Sequence, residues 1–321
     1  MNKKFLILLK IFFTIFLLGV IFYRIDINEL LKLYKRINFK YLVPAILAYY
    51  FAFLFLSLRW KFLLLEHSSK VRLSEIFKVY LLGMLINTVS PSTLGVDVLR
   101  GYLIEKKIKS GKSFAFASVL IDRIVGLFGI FSFAPFGLLF IKGIPNSHIL
   151  LLFCIFISFS IISLLFVTQS HFFEVNFKKL IKSVPLLGIN KKIENFYNSY
   201  KTYSKYKKLL FFSFILTIFL QVFFSIQAYY CARTLSFNIS PFVFIFIIPL
   251  INALNLIPLT ISGLGVREAG FYILFSKYFS PESSVSISLL YFLSGVIANL
   301  PFGIYLFKSP FKSEKRPKNY L

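Results

Sequence analysis

Six stretches of this sequence stay apolar for about 20 residues, the length an α-helix needs to cross the hydrocarbon of a bilayer. They are 5–23, 41–65, 114–141, 149–168, 209–231 and 285–307. In lipid only helices and closed barrels satisfy every backbone polar group, and barrel strands are much shorter and alternate in polarity. With 58% hydrophobic residues and a mean hydropathy of +0.79, a soluble globule of 321 residues has too little interior for its apolar surface. The expected fold is therefore an all-α polytopic membrane protein. Residues 1–308 are read as one integral membrane domain, followed by a basic, disordered tail at 309–321. Lys3 and Lys4 precede the first stretch and Lys10 interrupts it, with no small-x-small cleavage pattern after it. It reads as a retained helix rather than a signal peptide.

The charge is strongly basic: 37 Lys and Arg against 12 Asp and Glu, net +25. The positive residues lie between the apolar runs, as retention of basic loops in the cytoplasm requires, so nucleic-acid binding is not expected. Residues 171–208 carry nine lysines, whereas 232–240 carries Arg233 alone. Placing the lysine-rich segments inside puts both termini in the cytoplasm, in a cytoplasmic (inner) membrane. It also puts 24–40 outside despite its five basic residues. Within 171–208, Ile189, Ile193, Phe196, Tyr200 and Tyr203 recur at helical spacing. This predicts a basic amphipathic helix lying on anionic headgroups, with a partner-binding arm as the alternative.

Two further apolar stretches, 76–103 and 241–279, are broken by Pro and Gly. For the basic loops to stay on one side, each must return to the side it entered. Segment 73–112 then dips in from the cytoplasm and 236–282 from outside. The order span, broken hairpin, span thus occurs twice in opposite directions, in units at about 41–141 and 209–307. Tyr41 to Gly95 and Leu209 to Gly263 are both 54 residues apart. Inverted repeats with paired Gly/Pro-interrupted segments point to a transporter's binding site. Each break carries the parts of an interrupted helix: Pro91, Ser92, Thr93 and Gly95 in the first, Pro258, Thr260, Ser262, Gly263 and Gly265 in the second. A helix restarting inside the membrane presents unpaired N–H groups and a positive dipole end, which suit a phosphate.

Ionisable residues at membrane depth are costly and need a partner or a function. Here they are Asp97, Arg100, Asp122, Arg123, Arg267 and Glu268. Arg100 and Arg267 lie beside the two breaks and are expected to bind a lipid phosphate together with Ser92, Thr93, Gly95, Ser262, Gly263 and Gly265. Asp97, Asp122, Arg123 and Glu268 are the expected charge partners. Sequence neighbours on a helix do not face each other, so pairing is expected between the hairpins or with Asp122 and Arg123 rather than between Arg267 and Glu268. Cys154 and Cys231 lie in apolar runs, and His67, His148 and His171 are scattered. Neither a metal site nor a cofactor is implied.

The segments "SPSTLGVDVLRGYLI", "ASVLIDRIVGL" and "IPLTISGLGVREAGF", in this order, resemble the hallmarks of the flippase-like membrane region of the lysylphosphatidylglycerol synthase family. Arg59–Trp60 also fits that pattern, and the resemblance covers 5–307. Val96 departs from it, standing where a second Gly is common. Full-length members carry a soluble domain that transfers lysine to phosphatidylglycerol. With 14 residues after the last span, that reaction is not expected here. The resemblance implies translocation of an anionic phospholipid, an aminoacyl-phospholipid or a polyprenyl-phosphate-linked lipid. The alternatives are a membrane subunit partnering a separate lysyltransferase, lipid synthase or glycosyltransferase, and an integral lipid-modifying transferase. The lipid and the oligomeric state stay open.

Overall fold

The computed structural model describes residues 3–64, 71–89, 93–105, 107–108, 111–140, 147–183, 190–255 and 259–308. Among them there are thirteen α-helices and no strand: α1 Lys3–Tyr23, α2 Ile27–Lys35, α3 Leu42–Leu63, α4 Leu73–Val89, α5 Thr93–Glu105, α6 Gly111–Phe140, α7 Ser147–Gln169, α8 His171–Ser183, α9 Asn190–Thr202, α10 Lys207–Thr234, α11 Pro241–Leu254, α12 Val266–Leu274 and α13 Pro281–Lys308. Five helices, α3, α6, α7, α10 and α13, are long and apolar enough to cross a membrane. α1 joins them if it is counted with α2, from which it turns by 85°. The six apolar runs of the sequence are these helices, and the two broken runs are the short pairs α4–α5 and α11–α12. The tail at 309–321, Pro91, Ser92, Pro258 and Ile189 lie outside the described residues.

The helices pack in a pattern that repeats when the two units are exchanged. α3 and α10 lie antiparallel at the centre, with Phe55 stacked on Phe219 and Phe51 on Phe223. α4 packs on α13 and, correspondingly, α11 packs on α6. α5 packs on α6 just as α12 packs on α13. The first helix of each broken pair therefore rests on the last helix of the other unit and the second on that of its own, which locks the units together through their interrupted segments.

Side-chain contacts sort the connections into two ends. At one end the Asn38 N–H donates to Thr234 O (2.9 Å), Arg233 Nη2 donates to Tyr41 Oη (3.0 Å) and Tyr34 Oη donates to Ser286 O (3.2 Å). The basic segment 24–40 thus sits with 234–241 and the start of α13. At the other end lie the lysine-rich connections, joined by Lys107 Nζ to Glu75 at 2.6 Å and by Phe114 stacked on Tyr203.

On the apolar side of the helix at 190–202, Tyr197 and Tyr200, with Tyr203 just beyond, are buried against the bundle. The reason is the phenol. A buried tyrosine hydroxyl needs a partner, and the ends of α3 and α7 offer carbonyls without intrahelical partners. Tyr203 Oη donates to Leu63 O at 2.9 Å and Tyr197 Oη to Thr168 O at 2.8 Å. Lys191, Lys192, Asn195 and Asn198 face away. Glu174 on α8 ties to α9 through Lys201, and hydrogen bonds from Lys178 and Lys201 hold its carboxyl down to about 2. A depressed carboxylate stabilises above its ordinary range and loses the effect only as the pH falls through its folded value, so this tie survives acidification to near pH 2. Replacing Tyr203 with Phe removes one buried hydrogen bond and orphans the Leu63 carbonyl. The expected loss is about 1–2 kcal/mol, read from unfolding in detergent micelles. Tyr23, which is 92% exposed, is the control and should give no loss as Phe.

Candidate functional site

The second break meets the last turn of α4. Ser262 Oγ, in the second break, donates to the backbone carbonyls of Asn87 and Thr88 at the end of α4. These are carbonyls of a helix's last turn, which an interrupted helix leaves open. Ser262 has φ +54°, and the glycines at 263 and 265 have φ +73° and +86°. Of the two breaks, only the second shows positive φ among the described residues. Gly95 sits in the first turn of α5 without positive φ, because α5 restarts two residues earlier at Thr93, whose side chain is not described. Val96 is accommodated by its partner helix: a Cβ at Gly83 would lie 2.5 Å from the Val96 side chain, so the small residue sits on α4 instead of α5.

Beside this junction α3, α4, α5, α6, α10 and α11 enclose a cavity of about 300 Å³. Its charged lining comes from Arg59, Asp97, Arg100, Asp122 and Arg123, three guanidinium groups against two carboxylates. Asp122 is the hub. Its side chain is 1% exposed. It accepts from Arg59 Nε (2.8 Å), Arg100 Nη2 (2.7 Å) and Tyr80 Oη (2.6 Å). Arg59 also donates to Thr217 Oγ1 at 3.0 Å. A buried carboxylate with this many donors is fully compensated. Arg100 lies against two aromatic rings, 4.3 Å from the centroid of Trp60 and 4.0 Å from that of Tyr80. Trp60 is held in turn by its indole N–H donating to Ser118 Oγ at 3.2 Å.

Asp97 is placed differently. It accepts from Arg100 Nη1 at 3.2 Å and from Arg123, and its side chain is 21% exposed. Several polar atoms of the cavity have no partner among the described residues: Arg100 Nε, Asn87 Oδ1 and Asn255 Oδ1. Gln221 and Asn252 complete the polar wall, hydrogen-bonded to each other at 2.8 Å. Orphaned buried donors and acceptors are costly, and all three belong to residues that line the cavity.

Arg267 has another role. It is not part of the cavity lining. Its guanidinium binds its immediate neighbour Glu268 (Nη2 to Oε1, 2.6 Å), contacts Ser288 Oγ at 3.3 Å and lies over the Phe292 ring. The expected pairing across the hairpins is thus not formed by this residue. Glu268 is already turned back to accept from the Gly265 N–H at 2.6 Å, and the long Arg267 side chain folds onto the same carboxylate. The pair closes the start of α12. In the second unit the α10–α13 contact related to Arg59–Asp122 is neutral: Gln227 Nε2 donates to Ser294 Oγ at 2.9 Å. Among the described residues, the charged cluster around Asp122 belongs to the first unit. Tyr80, Thr217 and the carboxamides were not singled out from sequence, where each resembles an ordinary residue of an apolar helix.

Fold and site define a class: a multi-pass membrane protein with two matched units and one charged cavity at their junction. The family described as the lysylphosphatidylglycerol synthase TM region matches residues 7–303, and the chain belongs to that family. It is similar to two UPF0104 membrane proteins of Methanocaldococcus jannaschii. MJ1595 is 25% identical over 308 residues, 88% of each chain. MJ1078 is 31% identical over 242 residues, 74% of this chain and 99% of the relative.

Proposed function

We propose that this protein translocates a lipid with an anionic headgroup, an anionic or aminoacyl-phospholipid or a polyprenyl-phosphate-linked lipid, across the cytoplasmic membrane. The observation that carries the reading is the cavity at the junction of the two broken helix pairs, where three arginines face two carboxylates. An isolated charged group at membrane depth is costly, so an excess of fixed positive charge there has its simplest use in holding an anion. Arg100 and Arg123 face that anion while Arg59 and Asp122 hold the frame, and Arg267 contributes by fixing α12. The lysine-rich end faces the cytoplasm with both termini. α4–α5 and α11–α12 act as re-entrant hairpins from opposite sides, and rocking of one unit against the other alternates access. Membership of a lipid-related membrane family agrees with this.

The test is scrambling of fluorescent phosphatidylglycerol in proteoliposomes. The protein should accelerate the exchange over empty liposomes, and Arg100→Gln with Arg123→Gln should lower the rate by about tenfold or more, the effect of losing about 1.4 kcal/mol of stabilisation. Equal rates for wild type and the double variant would overturn the site. A second reading, a membrane subunit for a separate lipid synthase or glycosyltransferase, is favoured by the exposed Lys191 and Lys192 on the outer face of α9. Its test is co-purification with and without charge reversal at those two residues.

A further inference from the structure

We propose that Asp97 is a built-in stand-in for the lipid phosphate, occupying its arginines until the headgroup arrives and displaces it. This rests on the reading of the cavity as a headgroup site. The two carboxylates of the cavity have opposite characters. Asp122 is sealed at 1% exposure, with two arginines and a tyrosine on it. Asp97 reaches the open part of the cavity at 21% exposure and is held by Arg100 Nη1, at 3.2 Å, and Arg123. Arg123 is itself 30% exposed. Of the two guanidinium groups that hold Asp97, Arg123 is the one accessible to an incoming anion, and Arg100 is buried at 6% exposure.

Exchange keeps the charge held by the arginines constant. With Asp97 bound, the cavity lining carries one net positive charge. A phosphodiester headgroup also carries a single negative charge, so swapping it for Asp97 leaves the charge held by the arginines unchanged. The desolvation cost of burying unpaired cations is then met in both states. Arg100 need not travel: Trp60 and Tyr80 lie against it and Asp122 fixes its other nitrogen. Its unpartnered Nε is a further donor near the exchange. A headgroup that must compete with a tethered carboxylate also leaves readily, because the carboxylate reclaims the arginines. Conduction needs binding that is weak enough to release.

The chain has a single tryptophan, and Arg100 lies on it, so Trp60 emission reports on this site. Purified protein is titrated with dihexanoyl-phosphatidylglycerol, with dihexanoyl-phosphatidylcholine as the zwitterionic comparison. Asp97→Asn should tighten the phosphatidylglycerol midpoint by about tenfold and slow scrambling. Asp97→Glu, which keeps the charge, should stay near wild type. Asp97→Ser is the second neutral variant, read in the same way should Asp97→Asn not fold. A residue with a merely structural role would weaken binding when altered, so unchanged or weaker binding in the neutral variants overturns the exchange. If wild type scrambles phosphatidylglycerol and the neutral variants do not bind more tightly, only the exchange fails. If wild type neither scrambles it nor shows a Trp60 response, the headgroup site itself fails.

Discussion

Replacing Asp122 with Ala should destabilise the protein by about 3–5 kcal/mol, the cost of breaking a buried ion pair from one side. Arg59 and Arg100 are 4% and 5% exposed; Arg59 would be left without a carboxylate and Arg100 with Asp97 alone. Tyr80 Oη would lose its acceptor as well. Asp122→Asn keeps an oxygen for one donor but not the charge, and should fall between Ala and wild type. Unfolding in detergent micelles, followed through Trp60 beside Arg100, measures the series. Glu29→Ala is the informative comparison. Its partner Lys32 is 66% exposed, and solvent screens such a pair, so no measurable change is expected. A loss at Asp122 no larger than that at Glu29 would mean that the hub does not hold α3, α4, α5 and α6 together.

The same contrast explains what was legible in the sequence. Membrane helices announce themselves because lipid tolerates few polar residues over about 20 positions, so all six long runs could be read directly. The broken runs were also visible, since Pro and Gly inside an apolar stretch have few other uses. That Asp97, Arg100, Asp122 and Arg123 gather in one place follows from the cost of burying charge. Partner choice is another matter. A tyrosine in an apolar helix reads as core or interface, and nothing local to Tyr80 reveals that its hydroxyl ends on Asp122, 42 residues away. Arg267 and Glu268 misled for a geometric reason. The rule that neighbours diverge holds for short side chains, whereas arginine reaches around the helix once its neighbour is pinned to the Gly265 N–H. The helix at 190–202 showed its amphipathic face, but periodicity alone does not say whether lipid or protein covers it. The tyrosine hydroxyls and the open carbonyls of Leu63 and Thr168 decide that.

Gly265→Ala should be strongly destabilising. Gly265 precedes α12 with φ +86°, a conformation that costs a residue with a Cβ about 1–2 kcal/mol. A Cβ there would also lie 2.8 Å from the Leu17 Cβ. Two side-chain stems in that position do not yield as a flexible tip would. Forcing α1 away from α12 adds about 1–3 kcal/mol of overpacking, for a combined loss of about 2–5 kcal/mol. The effect should reach function, because the same residue supplies the N–H that orients Glu268, and Glu268 orients Arg267. Gly19→Ala is the matched control. It lies two residues from Leu17 on the same helix, and a Cβ at that position meets nothing within 4 Å. There, replacing a helical glycine should be neutral or stabilising by about 0.5–1 kcal/mol. Thermal unfolding of the two variants side by side separates the backbone requirement of the break from a general intolerance of bulk near α1. Equal melting of the two would show that α12 does not start from a left-handed glycine packed on α1.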